Sequence, residues 1–321
     1  MIEVMSDTPL ASVQDLGRFG HLGQGVGTAG AMDALALSAG NLMLGNAAGA
    51  AAIEVQVFPF SLRFRCAATF ALTGADAFAT LDGQPLLPWW VARAEAGQVL
   101  TFNLPRHGVR AYLCLAGGVE VPEVLGSRST QLRGAFGGFE GRQLCLGDRL
   151  PLAAACDRGP GGFGIVAPSQ HLPLACDGLP AVRVIPAAEY AAFEEASQQV
   201  LWQQPWKITP QSNRYGYRLA GTGLVPRRPL EMQSHGIVPG VIQVPHGGQP
   251  IIQLRDAQPM GGYPKIGAVI EADLWRLSHI PLGGSLRFIQ ADYPQGLAAL
   301  DEQQAWLASV RDSAQRLAAV A

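Results

Sequence analysis

Ile53-Glu54-Val55-Gln56-Val57 alternates apolar and polar residues, and Leu62-Arg63-Phe64-Arg65-Cys66 and Leu100-Thr101-Phe102-Asn103-Leu104 repeat the pattern. A period of two turns one face of a segment toward a core and the other toward water, so each predicts a half-buried β-strand. Asp82-Gly83 stands between Phe78-Ala79-Thr80-Leu81 and Gln84-Pro85-Leu86. It predicts a hairpin, because a type I′ turn needs positive φ at both central positions. Arg110-Ala111-Tyr112-Leu113-Cys114-Leu115 reads as another strand, stopped by Gly117-Gly118. Frequent Gly and Pro between short strands fit a barrel or a sandwich. The fold class expected is mainly β with a few helices, a β-rich α+β chain.

Three segments carry helical spacing. Residues 31–44 put Leu35, Ala39, Leu42 and Met43 on one face and end at Gly45-Asn46. Residues 187–202 follow Pro186 and offer Tyr190, Phe193 and Val200 as apolar groups. Toward the C-terminus, Leu297, Leu300, Leu307, Val310, Ala314 and Leu317 recur at steps of three, four or seven, which makes one apolar stripe. The Ala/Gly/Pro-rich run 153–180 has no sustained period. It predicts a boundary between two β-rich units, 1–155 and 181–295, with a C-terminal helix over 296–321.

Composition limits the partners. The chain has 321 residues, 48% hydrophobic and 15% charged, with a net charge of −2. No block of like charges points to nucleic acid or an anionic membrane. No apolar run reaches membrane-spanning length, and Met1-Ile2-Glu3-Val4 lacks the basic start of a signal peptide, so a cytoplasmic protein is expected. Five cysteines without a CxxC pair predict reduced structural thiols. Lys207 and Lys265 are the only lysines. Any bound anion is therefore expected to meet Arg forks, which suit carboxylate and phosphate.

Val13-Gln14-Asp15-Leu16-Gly17-Arg18 leads through a Gly-rich stretch to Gly30-Ala31-Met32-Asp33 at the start of the first helix. Backbone N–H groups there suit an anion; equally, the glycines suit a tight loop with Asp33 favoured by the helix dipole. No Lys follows in a GxxxxGKS pattern, which argues against a Walker-type site. Leu125-Gly126-Ser127-Arg128-Ser129-Thr130 is either an anion grip or a turn carrying a surface Arg.

In the C-terminal half, Ser212-Asn213-Arg214 precedes the stretch from Gln233 to Pro250, where Gly, Pro, Gln and His crowd around short apolar runs. Buried amides and imidazoles are costly without hydrogen bonds, so this stretch predicts a shaped polar surface. Asp256 and Glu231 suit acid, base or metal-ligand roles, and His235 and His246 suit carbonyl polarisation or proton transfer. Arg214 completes the catalytic candidates. Arg18, Asp33, Arg128, Asn213, Gln243, Gln258 and Tyr263 are the substrate- or phosphate-binding candidates. With no HExxH and no closely spaced His pair, no metal site is expected.

Taken together, Gln14-Asp15-Leu16-Gly17-Arg18, Gly30-Ala31-Met32-Asp33, Leu125-Gly126-Ser127-Arg128-Ser129-Thr130, Ser212-Asn213-Arg214, Ile242-Gln243-Val244-Pro245 and Gly261-Gly262-Tyr263-Pro264 resemble the biotin-dependent carboxyltransferase family, also called the allophanate hydrolase subunit 2 or KipA family. The run Leu230-Glu231-Met232-Gln233-Ser234-His235-Gly236 favours its 5-oxoprolinase branch. The resemblance implies two cyclophilin-like β-barrel units. It implies an ATP-dependent opening of 5-oxo-L-proline to L-glutamate, with Mg²⁺ accompanying the nucleotide. It also implies two partner proteins, one KipI-like and one LamB/YcsF-like. A biotin-dependent urea or amide carboxylase, taking carboxybiotin from another chain, and a KipA-like regulator of a kinase inhibitor are the alternatives. The chain departs from the family pattern at Pro259-Met260, where a Thr pair is usual, and at Ser278-His279 and Tyr215.

Overall fold

The computed structural model describes residues 1–153, 156, 157, 159 and 161–320; Ala154, Ala155, Arg158 and Pro160 of the expected boundary run, and Ala321, lie outside the described residues. Two compact units emerge, one made of Met1–Arg18, Ala29–His171 and Gln304–Ala321, the other of Phe19–Thr28 and Leu172–Gln303. The main junction falls inside the 153–180 run. The C-terminal helix, Tyr293–Val320, is no separate piece, since each unit takes part of it.

The first unit holds two six-stranded antiparallel sheets. One runs, in spatial order, Arg149–Leu150, Ile2–Val4, Phe60–Phe64, Val99–Phe102, Thr80–Leu81, Gln84–Pro85; the other runs Phe163–Gly164, Trp90–Ala94, Ala68–Asp76, His107–Leu115, Ala52–Val55, Ala11–Gln14. Along Phe60–Phe64 the alternation is realised, with Phe60, Leu62 and Phe64 fully buried between the less buried Ser61 and Arg63. Phe64 stacks on Phe70 of the facing sheet, ring centroids 5.2 Å apart, and the sheets share one core. The hairpin turn has φ of 47° at Asp82 and 78° at Gly83, as a type I′ turn requires.

The first helix spans Ala34–Met43, and Asp33 caps it by accepting from the Ala36 N–H at 2.8 Å. It lies on the Ala68–Asp76 strand, where the Thr73 hydroxyl donates to the Ala36 carbonyl at 2.8 Å. Gly40 allows that approach: a Cβ there would come within 2.7 Å of Cys114 Sγ. Burial pushes the Cys114 thiol up to about 12, so it sits in the core as an inert small apolar group.

The second unit is built on an eight-stranded sheet that, apart from its edge strand Ala175–Cys176, closes on itself. Leu179–Pro186 pairs antiparallel with Lys265–Val269 on one side and in parallel with Ser285–Gln290 on the other, and this completes the barrel. Tyr217, Leu219, Ile242, Ile252 and Phe288 are buried and fill it. The expected 187–202 helix is shorter, because Phe193 is extended; a 3₁₀ turn at Tyr190–Ala192 precedes the helix Glu195–Gln203. In the C-terminal helix the buried stripe is Ala299, Trp306, Val310 and Ala314, while Leu297 and Leu317 are exposed. Trp306, which the leucine spacing did not single out, packs edge-on against Trp89 at 6.1 Å and sets the stripe's centre.

Candidate functional site

The candidates of the first unit bond to groups within that unit. Asp15 accepts from the Gly17 N–H at 2.7 Å, the Ser127 hydroxyl at 2.7 Å and the Arg128 N–H at 2.6 Å, tying two loops together. Arg18, expected to hold an anion, is 1% exposed and donates to the carbonyl of Ser129 at 2.7 Å, with its guanidinium over the Phe136 ring. Arg128, another expected anion grip, donates to the Val121 carbonyl at 2.9 Å and pairs with Glu123 at 2.7 Å. Asp33 is a buried helix cap whose N–H donates to the Tyr112 hydroxyl at 2.8 Å. Tyr112 in turn donates to Glu54 at 2.6 Å, and Glu54 also accepts from the Met32 N–H at 2.8 Å. Burial, followed by the carboxylates of Glu54 and Asp33, raises the Tyr112 phenol well above its ordinary value. The Gly30-Ala31-Met32-Asp33 string is thus held by a buried network, and at Gly30, with φ of 94°, a Cβ would come within 2.8 Å of the Leu16 carbonyl.

The second unit is different. Across neighbouring barrel strands, Lys265 stands opposite Gln243, Gln243 opposite Ile251, and Ile251 opposite Arg218. These side chains share the outer face, since Ile242, Ile252 and Leu219 between them point inward. A β-bulge between Ile242 and Gln243 sets Gln243 against Lys265. A short ladder, His235–Gly236 paired with Met260–Gly261, roofs one end of this row. Gly261 lies directly on the Gln243 amide, where a Cβ would come within 2.5 Å of Nε2. His235 Nε2 is 2.5 Å from Lys265 Nζ, and its Nδ1 is 3.0 Å from the Gln233 carbonyl. Because Nδ1 must carry the proton to meet that carbonyl, Nε2 is the acceptor for the ammonium. At the other end of the row Arg218, Thr209, Gln249 and Ile251 line an open cleft of about 660 Å³.

Arg214 and Asp256 form a buried two-pronged pair, Nε to Oδ2 at 2.9 Å and Nη2 to Oδ1 at 3.0 Å. The expected anion for Arg214 is therefore supplied from within the chain, and the expected base Asp256 is bound as its counter-ion. Asn213 is exposed and its Oδ1 accepts from the Tyr215 N–H at 2.9 Å, a local turn. Glu231 and Gln258 are exposed beside the ladder. Tyr263 is exposed too, edge-on to His246 at 6.1 Å. Of the sequence candidates the ladder corner gathers His235 and Gln243. It adds Gln253, which continues the same polar stretch, and Lys265 and Glu189, which were not among them. Lys265 had a signal, as one of two lysines, directly after Gly261-Gly262-Tyr263-Pro264.

A family model described as the carboxyltransferase domain, subdomain A and B, matches residues 24–290. The chain belongs to this carboxyltransferase family. It is 41% identical over 310 residues to the C subunit of 5-oxoprolinase from Escherichia coli K12, covering 95% of this chain and 96% of that protein. It is 40% identical to the C subunit of 5-oxoprolinase from Haemophilus influenzae, covering 97% and 98%. The solved structure of Kluyveromyces lactis urea carboxylase superposes with a TM-score of 0.88 at 27% identity, over 98% of this chain and 29% of that one. For a carboxyltransferase domain the mainly β architecture with few helices is the expected one, and it is what the strands form. The matched range includes the ladder, the Gln243–Lys265 row and the Arg214–Asp256 pair.

Proposed function

We propose that this carboxyltransferase-family chain is the C component of an ATP-dependent 5-oxoprolinase, which opens 5-oxo-L-proline to L-glutamate while ATP goes to ADP and phosphate. The observation that carries the reading is the end-to-end identity with two 5-oxoprolinase C components, on both chains' lengths. Its partners are a KipI-like protein, the B component, and a LamB/YcsF-like protein, the A component, in the cytoplasm; no helix is long and apolar enough to cross a membrane among the described residues. A lactam is a stable amide. Phosphorylating its carbonyl oxygen makes the carbon electrophilic and gives it a leaving group.

ATP, with Mg²⁺, enters that scheme through the assembled enzyme. Arg18, Arg128 and Arg214, the guanidinium groups expected to cradle phosphate, are engaged within the chain. Among the described residues no cluster of three or more His, Cys, Asp or Glu side chains suits a metal. The part proposed for this chain is the orientation of the lactam. Deleting the gene from its host tests the reading. The deletion strain should fail to use 5-oxoproline as sole nitrogen source and recover with the gene restored. Normal growth on 5-oxoproline with lost growth on urea would replace it with the biotin-dependent carboxylase reading.

A further inference from the structure

The roofed end of the outer row contains a donor without an acceptor. Gln243 is 4% exposed, and its Oε1 accepts from Gln253 Nε2 at 3.0 Å. With the two amides in this orientation, Nε2 is the atom turned toward Gly261. Nε2 has no hydrogen-bond partner. Leaving a buried donor unsatisfied costs about 1–3 kcal/mol, a cost that a ligand acceptor would remove.

Next to it stands an ammonium with hydrogens to spare. Lys265 Nζ meets His235 Nε2, while Glu189 Oε2 is 3.5 Å from Nζ and accepts the Lys265 backbone N–H at 3.0 Å instead. An ammonium has three donors, and the Lys265 side chain is 20% exposed, so an anion can reach it. The roof over both groups is a ladder of two register pairs, reinforced by the Ile237 N–H to the Pro259 carbonyl at 2.9 Å.

We propose that this corner binds the substrate as a small cyclic amide bearing a carboxylate, with the ring carbonyl oxygen on Gln243 Nε2 and the carboxylate on Lys265 Nζ. The inference rests on 5-oxoproline being the substrate. The ligand enters beside Lys265, and the ladder lifts at Gly261 to admit the carbonyl. His235 is a positioning residue, holding the ammonium where the carboxylate arrives. Gly261 is the residue that lets the roof rest on the amide.

The test uses the complete complex with the KipI-like and LamB/YcsF-like partners and two variants, Gly261→Ala and Lys265→Met, beside Lys207→Met as control. Gly261→Ala pushes on the buried Gln243 amide, so its thermal unfolding is compared with the control, and Lys265→Met, which adds no group beneath the roof, carries the test where Gly261→Ala unfolds early. Both variants should raise KM for 5-oxoproline about tenfold or more, as loss of a charge-assisted or buried hydrogen bond does, with KM for ATP unchanged. 2-Pyrrolidinone, which lacks the carboxylate, should inhibit the wild type and Lys265→Met equally but Gly261→Ala more weakly. Wild-type turnover with unchanged KM in both variants would overturn the site and leave the function standing. A wild-type complex that releases no glutamate from 5-oxoproline would overturn the function, and this inference with it.

Discussion

Removing Asp256 alone should damage the second unit far more than replacing Asp256 and Arg214 together. The pair is bidentate at 2.9 and 3.0 Å, with Arg214 7% and Asp256 2% exposed. Deleting one partner of such a pair leaves a buried charge without its counter-ion, at a cost of about 3–5 kcal/mol. Replacing both by apolar groups of similar volume is often close to neutral. Asp256→Ala should therefore lower the urea midpoint of this unit by roughly 1.5–2.5 M at a slope near 2 kcal/mol/M. Asp256→Leu with Arg214→Met should recover most of that, a coupling on the order of 3 kcal/mol. Denaturant-dependent hydrogen exchange in Gly216–Ala220 and Ile251–Gln253, the strands flanking the pair, reads this unit alone. Additive single effects, or an Asp256→Ala loss within about 1 kcal/mol, would mean that the two charges are not coupled as a buried pair. The consequence for function is direct: lost activity in Asp256→Ala reports on folding unless the double variant is lost too.

Tyr112→Phe strips the bridge between Glu54 and the Asp33 N–H and should cost about 1–3 kcal/mol by urea unfolding. The raised Tyr112 phenol keeps its proton in the folded state, so its contribution is whole below the ordinary phenol value near 10 and fades as pH rises above it. The wild type should lose stability over that alkaline window and Tyr112→Phe should lose less. For Asp148, burial opposes ionisation, but hydrogen bonds from Arg142 and the Cys145 N–H outweigh it and hold the carboxyl below its ordinary value. Its contribution is present above about pH 4 and lost as pH falls through the depressed value, so Arg142→Gln should flatten the acid limb of the stability curve. Gly30→Ala would put a Cβ 2.8 Å from the Leu16 carbonyl at φ 94°, and should lower the melting temperature of the first unit sharply.

Strand locations were legible because local alternation states them: Leu62-Arg63-Phe64 lies in the strand Phe60–Phe64 and Leu100-Thr101-Phe102 in Val99–Phe102. Strand partners were not legible. Nothing near Leu179–Pro186 reveals that it closes a barrel against Ser285–Gln290, about a hundred residues away, since closure is a property of the whole sheet. The polar character of the second-unit site was visible in the crowding of Gly, Gln and His. Its pairing was hidden, because a one-residue bulge decides that Gln243 faces Lys265. The partners of Arg18 and Arg128 were not legible, because an Arg beside hydroxyls looks the same whether it meets a ligand or the carbonyls of a neighbouring loop. Asp33 announced a helix start correctly, and the cap proved to be its use.

The most direct test of the central claim is glutamate and ADP formation from 5-oxoproline and ATP by this chain mixed with its KipI-like and LamB/YcsF-like partners. Both products should appear together, in equal amounts, and only when this chain is present. Equal rates with and without it, or ATP hydrolysis that never yields glutamate in an intact complex, would contradict it.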